Sequence, residues 1–218
     1  FLGFFSTKNK LIGVDPTIKK LSKFYRKDII KLASFFSEKN LRSILNNKAK
    51  IISSISMFYD LPDPLDFAKE IYSALKDNGV WHIELSYMPM MLKNLSYDTI
   101  CHEHLEYYSS NVIMNLCKKN GLRVFDIRKN KINGASKQFY ICNKNSKYLE
   151  NHIVKKEIVL ENKMKLTELG TFKKFIKEIE YSRNKLVKFL KQKVKLGKKI
   201  HCYGASTKGN VLLQYYNI

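Results

Sequence analysis

The stretch PLDFAKEIYSALKDNGVWHIELSYM, residues 64–88, constrains the fold more than any other. It holds a helix and a strand back to back, each with its own punctuation. Pro64 suits the first helical position, where its missing N–H is no loss. Phe67, Ile71 and Leu75 recur at helical spacing and define one apolar face. Asp77, Asn78 and Gly79 stop the helix, and VWHIELSYM then reads as a strand.

The same alternation runs along the chain. KLIGVDPT is a short strand that ends in a turn, and a second short strand is expected at Ile30 to Phe35. AKIISSISMFYDLPDP starts as a buried strand that Pro62 and Pro64 close. SSNVIMNLCKKNG reads as a helix, with Ser110 at the N-cap and Gly121 just past the end. LRVFDIRKNKINGASKQFYICNK reads as two strands joined by a turn containing Asn133-Gly134. From about Asn151 to Lys195 the pattern is helical and rich in lysine, which suits a linker, a coiled-coil arm or a packing helix. KKIHCYGASTKGNVLLQYY then repeats strand, glycine-containing loop and helix. Strands alternating with helices predict an α/β sheet.

The length of 218 residues allows one domain with a proper core and part of another. FLGFFSTKNK reads as the tail of a helix, and GNVLLQYYNI ends inside one, so we read the chain as a fragment open at both ends. Residues 1–145 form the first expected domain, 146–196 a helical connector, and 197–218 the start of a second α/β domain.

The formal net charge is +21, which invites a nucleic-acid reading. The basic residues are nearly all lysines, spread along the chain and not grouped in blocks. Nucleic acid is therefore not the expected partner, while a positive field favours an anionic small substrate. No apolar run approaches the roughly 20 residues of a membrane span. Cys101, Cys117, Cys142 and Cys202 form no CxxC pair, which suits a reducing cytoplasm.

Three stretches carry candidate chemistry. Asp15 ends a strand, where an acid can accept hydrogen bonds from both ribose hydroxyls of a nucleoside; Asp-Pro is also a common start to a turn. YDTICHEHLEYYS places Cys101, His102 and His104 close enough to consider zinc, but metal ligands are usually spaced further apart. General acid–base chemistry fits better, with a histidine oriented by a carboxylate. The bland alternative is a polar loop. GASTKGN has small residues, two hydroxyls, Lys208 and a helix behind it, which suits an anion site or a tight turn.

In order along the chain, KIISSISMFYDLPDPLDFAKEIYSALKDNGVWHIELSYMPMML, SYDTICHEHLEYYS, INGASKQFYI and CYGASTKGNVLLQY resemble the class I S-adenosylmethionine-dependent methyltransferases that carry a C-methyltransferase C-terminal domain. These are related to enzymes that methylate carbon atoms of nucleotide-linked deoxysugars. The resemblance covers essentially the whole chain. It implies a Rossmann-like methyltransferase domain, here without its first strand and glycine-rich loop, followed by helices and the start of a second domain. In such a fragment normal binding of S-adenosylmethionine is not expected. The family's zinc belongs to an N-terminal module that this sequence lacks, so no metal is expected here.

The resemblance also implies roles. Asp15, Ser56 and Met57 would hold the cofactor. Glu84, Tyr87, Asn133, Ser206, Lys208 and Asn210 would bind a nucleotide-linked sugar. His104, backed by Glu103, would remove the proton beside a keto group, and Tyr107 would stabilise the enolate oxygen. The enolate carbon then takes the methyl group. Cys101 stands where the sugar-tailoring members often have tyrosine, and MFYD stands where they tend to have histidine. These departures leave O- and N-methylation of a related compound open. The alternative reading is a non-catalytic scaffold that binds a nucleotide-linked sugar.

Overall fold

A computed structural model describes residues 1–130, 136–203 and 206–218. Its centre is a four-stranded mixed sheet. Strand β3 (Ala49–Ile55) is joined to β4 (Leu75–Ser86) by helix α2 (Pro64–Ala74), and the two strands run parallel. β5 (Leu122–Asn130) and β6 (Ser136–Asn143) are antiparallel, and β6 lies antiparallel to β4. The order across the sheet is β3-β4-β6-β5. A separate parallel pair, β1 (Ile12–Val14) and β2 (Ile30–Leu32), lies before it in the chain, followed by the short helix α1 (Glu38–Arg42).

Local chemistry explains the boundaries. Asp63 caps α2 by accepting the Asp66 N–H at 2.8 Å, and Pro64 follows in the first turn. The helix ends at Ala74, earlier than Asp77–Gly79 suggest, because Leu75 already pairs with Ala49 of β3. Pairing then resumes at Ile51 and Val80, so 76–79 bulge out of the ladder. A Cβ at Gly79 would come within 2.8 Å of Leu75, so only glycine closes this bulge without a shift. Helix α4 (Ser110–Lys119) is capped by Ser109, one residue before the expected Ser110, since its hydroxyl is the one that accepts the Val112 N–H. Gly121 follows with φ of +71°.

The core packs on one face of β4, since alternate residues of a strand share a face. Trp81, Ile83 and Leu85 are fully buried, together with Phe58, Ile71, Ile113, Phe139 and Ile141. A second cluster joins helix α3 (Met88–Asn94), the turn Tyr97–Thr99, helix α6 (Leu169–Lys195) and helix α7 (Thr207–Tyr216) through Leu92, Tyr97, Phe175, Ile179 and Tyr216.

Several expectations need correction. β3 is not a buried strand. It has a partner on one side only among the described residues, and Ile51 and Ile55 are left exposed. Leu2–Phe4 forms a single 3-10 turn where the tail of a helix was expected. No strand forms over 198–203, where no partner strand lies alongside and Tyr203 is wholly exposed. The expected Asn133-Gly134 turn lies outside the described residues. Helix α5 (His152–Lys163), expected in the connector, packs against the sheet and α4.

Candidate active site

β4 ends at Ser86, and the chain turns through Tyr87 into α3. α3 closes at Leu95, which adopts a left-handed conformation, and the chain passes through the Tyr97–Thr99 turn into the loop CHEHLEYY. That loop folds back over the turn that follows β3. The Tyr59 carbonyl accepts two N–H groups, from Leu105 at 3.0 Å and Glu106 at 3.1 Å. The result is a narrow cleft with two walls. Ser86, Tyr87, Met88 and Met91 form one wall; Thr99, His104, Glu106 and Tyr107 form the other, with Tyr59 also lining it.

The His104 ring lies 4.5 Å from the Tyr59 ring and 6.4 Å from the Tyr107 ring, measured between centroids. Glu103 is exposed and makes no hydrogen bond among the described residues. A second carboxylate shares the field here. Burial pushes the Asp60 carboxyl up, His104 pulls it back down, and Glu103 pushes it up again. Sequence reasoning singled out Ser56 and Met57 in this segment and passed over Tyr59 and Asp60. The signal for them was their place in the same turn, MFYD, right after a strand. Burial also raises the Tyr107 hydroxyl, whose hydrogen bond to the Thr99 carbonyl is long at 3.4 Å.

The expected substrate residues are dispersed. Tyr87 reaches the cleft, but its hydroxyl donates to Glu161 at 2.6 Å. Glu84 is buried in β4, where its two oxygens accept from the Asn130 amide at 2.8 Å and the Gln138 amide at 2.7 Å. Ser206 caps α7 by accepting the Gly209 N–H at 3.3 Å; Lys208 is half-buried and Asn210 exposed, and none of the three lines the cleft. Asn133 lies outside the described residues.

The expected cofactor residues stand at the carboxyl ends of strands, where open α/β sheets bind ligands. Asp15 follows β1 and is exposed. Its Oδ1 accepts from the Thr17 N–H at 2.6 Å and the Thr17 hydroxyl at 2.5 Å, which leaves Oδ2 unengaged among the described residues. Ser56 follows β3 with φ of +52°, and its N–H is tied to the Glu84 carbonyl at 2.9 Å. Among the described residues no three His, Cys, Asp or Glu side chains gather to hold a metal ion. No helix among them is long and apolar enough to cross a membrane.

Behind the cleft lies a charged cluster that sequence reasoning missed. Lys137 of β6 is fully buried and reaches Glu157 at 2.7 Å, Glu161 at 3.5 Å and the Ser110 hydroxyl at 2.6 Å. Its ammonium also sits 3.5 Å from the centre of the Tyr87 ring. Lys129 meets Glu157 at 2.5 Å as an ion pair without hydrogen-bond alignment. Burial opposes ionisation of Glu157, but Lys129 and Lys137 win and hold its carboxyl below the usual range. Burial opposes ionisation of Glu161 too, and the donors Ser110, Tyr87 and Asn111 bring it down. Val154, Glu157 and Glu161 share one helical face, and all three are buried. That spacing was the available signal.

Residues 4–127 match the family described as a methyltransferase domain, and residues 131–218 match the C-methyltransferase C-terminal domain. Over 206 residues the chain is 25% identical to the C-methyltransferase NovU of Streptomyces niveus, covering 94% of this chain and 49% of that protein. It thus spans about half the length of this curated relative. Two solved structures are similar in fold. One is described as a pericyclic reaction enzyme, with a TM-score of 0.51; the other is LepI in complex with SAM, with a TM-score of 0.50. Each is 14% identical and covers 62% of this chain and 36% of the other.

Proposed function

The chain belongs to the methyltransferase-domain family and has its Rossmann-like class I fold, and from that premise we propose that it transfers a methyl group from S-adenosylmethionine to a carbon of a nucleotide-linked keto-sugar. The match of residues 131–218 to the C-methyltransferase domain and the similarity to NovU support carbon as the acceptor. The nucleotide-linked sugar rests on the motif resemblance and on the positive charge of the chain, which suits a phosphate-bearing substrate.

The residues fit the cofactor. Asp15 Oδ2, unengaged among the described residues, can accept from ribose hydroxyls at the end of β1, and Ser56 and Met57 border the end of β3. When bound, S-adenosylmethionine supplies a methyl group on a positively charged sulfur. The chain's own residues do the rest. His104 takes the proton from the carbon beside the keto group, and the electron pair left behind is shared between that carbon and the carbonyl oxygen. Tyr107 donates a hydrogen bond to that oxygen. Tyr59 flanks the His104 ring, and the paired N–H contacts to its carbonyl hold the loop in place. Glu103 backs His104 from the neighbouring position, and Asp60 shares the field of both. The four cysteines are unpaired, which supports a reducing, cytoplasmic setting.

The observation that carries this reading is His104 and Tyr107 on one wall of one cleft. The test is to incubate the protein from its complete reading frame with methyl-labelled S-adenosylmethionine and a panel of nucleotide-linked 4-keto-sugars. Label is expected on carbon, and His104→Ala should lower the rate by about 10²- to 10⁴-fold. Transfer that survives the substitution moves the base elsewhere. Tight nucleotide-sugar binding without transfer replaces this reading with a non-catalytic scaffold.

A further inference from the structure

Two walls of a cleft must be held at a set distance if groups on both are to act on one substrate. Here the walls are neighbouring stretches of the chain, and one carboxylate from the distant helix α5 joins them. Glu161 Oε1 accepts from the Tyr87 hydroxyl on the first wall at 2.6 Å. The same oxygen accepts from the Ser110 N–H at 2.6 Å, and Oε2 accepts from the Asn111 N–H at 3.0 Å. Those two amides lie just past Tyr107, at the end of the second wall. A backbone bond runs the same way, from the Met88 N–H to the Tyr108 carbonyl at 3.1 Å.

We propose that Glu161 is a positioning residue of the methyl-transfer reaction: it braces the two walls of the cleft and so sets where His104 and Tyr107 stand against the acceptor. This rests on the function proposed above. Stability alone does not call for such an arrangement. Helix α4 already has its own cap in Ser109, which accepts the Val112 N–H at 3.3 Å. Burying two acids and a lysine is costly, and apolar side chains of similar size often serve a core better. What Glu161 provides, with both oxygens accepting hydrogen bonds, is fixed geometry. All three hydrogen bonds to Glu161 come from groups on or beside the cleft walls. Lys137, itself held by Glu157 and the Ser110 hydroxyl, balances its charge from behind. Helix α5 therefore acts on the cleft without lining it.

The test uses the protein from its complete reading frame and the variants Glu161→Gln, Glu161→Ala, Tyr87→Phe and Tyr87→Phe/Glu161→Gln. Glu161→Gln keeps the side chain's shape, and Lys137 keeps Glu157 as a partner. Its kcat is expected to fall about 10- to 100-fold, the scale of a small misplacement of reacting groups. The acceptor KM should move less than about threefold. The double variant should lose no more than about twofold beyond the single one, because the two residues act through one bond. A kcat within about threefold of the parent in both Glu161 variants overturns the brace, and so do fully multiplicative losses. Hydrogen exchange without substrate tests the same idea independently of any reaction. In Glu161→Gln, amides of 87–91 and of 104–111 should exchange faster together. Faster exchange confined to Ser110 and Asn111 overturns the proposal. If the parent protein transfers no methyl group, the proposed reaction falls, and the brace stands or falls on exchange alone.

Discussion

Replacing Lys137 by methionine removes one buried ammonium and keeps most of the side chain's volume. At an effective dielectric constant of about 20, charges 2.7 Å and 3.5 Å apart attract by about 6 and 5 kcal/mol. Most of that offsets the cost of taking three ions out of water. Breaking such a cluster from one side typically costs about 3–5 kcal/mol. Here Glu157 keeps Lys129, and Glu161 keeps three donors, so the lower end applies, about 3 kcal/mol. That is a large part of the roughly 5–15 kcal/mol that holds a domain folded. The loss depends on pH with a definite sign. In the parent, both glutamates have folded pKa values below the ordinary 4.5, so their stabilisation is present above 4.5 and lost as pH falls through the folded values. Without Lys137, burial is opposed less, and the same groups titrate higher in the folded state. The gap between Lys137→Met and parent should therefore be widest above pH 4.5 and close below it. Urea unfolding across pH 3 to 8 measures this. Glu157→Gln added to Lys137→Met should recover part of the loss at pH 7. A loss under about 1 kcal/mol, or a gap that ignores pH, would show that these carboxyls are already neutral and refute the argument.

Two further substitutions test other parts of the fold. The Tyr108 hydroxyl is buried beside Phe58 with no hydrogen-bond partner among the described residues, so Tyr108→Phe should leave stability unchanged or raise it by about 1 kcal/mol in urea unfolding. Gly121→Ala forces a side chain onto a φ of +71° and to within 3.3 Å of Tyr72, and should cost about 1–2 kcal/mol by thermal or urea unfolding.

What the sequence revealed were features set by neighbours in the chain. Asp63-Pro64 marks the start of α2 because capping and the proline ring act within a few residues, and Gly121 marks the end of α4 for the same reason. The His104 loop was legible because its titratable groups are contiguous. Features set by distant partners were hidden. β3 reads as apolar and looks buried, but its exposure depends on which strand pairs beside it, and nothing within AKIISSI encodes that. Lys137, Glu157 and Glu161 each read as solvent-facing charge. They become interior groups only because β6 and α5 meet, and a lysine-rich helix masks the two acids that point inward. Tyr87 was found and Glu161 was not, though one hydrogen bond joins them across 74 positions.

The placement of Trp81 has an optical consequence. It is the chain's one tryptophan and is fully buried, with its indole N–H donating to the Ser54 hydroxyl at 3.1 Å and its ring 5.7 Å from that of Phe58. Its emission therefore reports on the seam between β3, β4 and α2, one residue from Tyr59, whose carbonyl holds the His104 loop. The α6–α7 cluster is lit by tyrosines alone, with Tyr97, Tyr215 and Tyr216 in mutual contact. Excitation at the red edge of the absorption band, where tyrosine is dark, turns the sheet into a separately readable half of the molecule, with no label added.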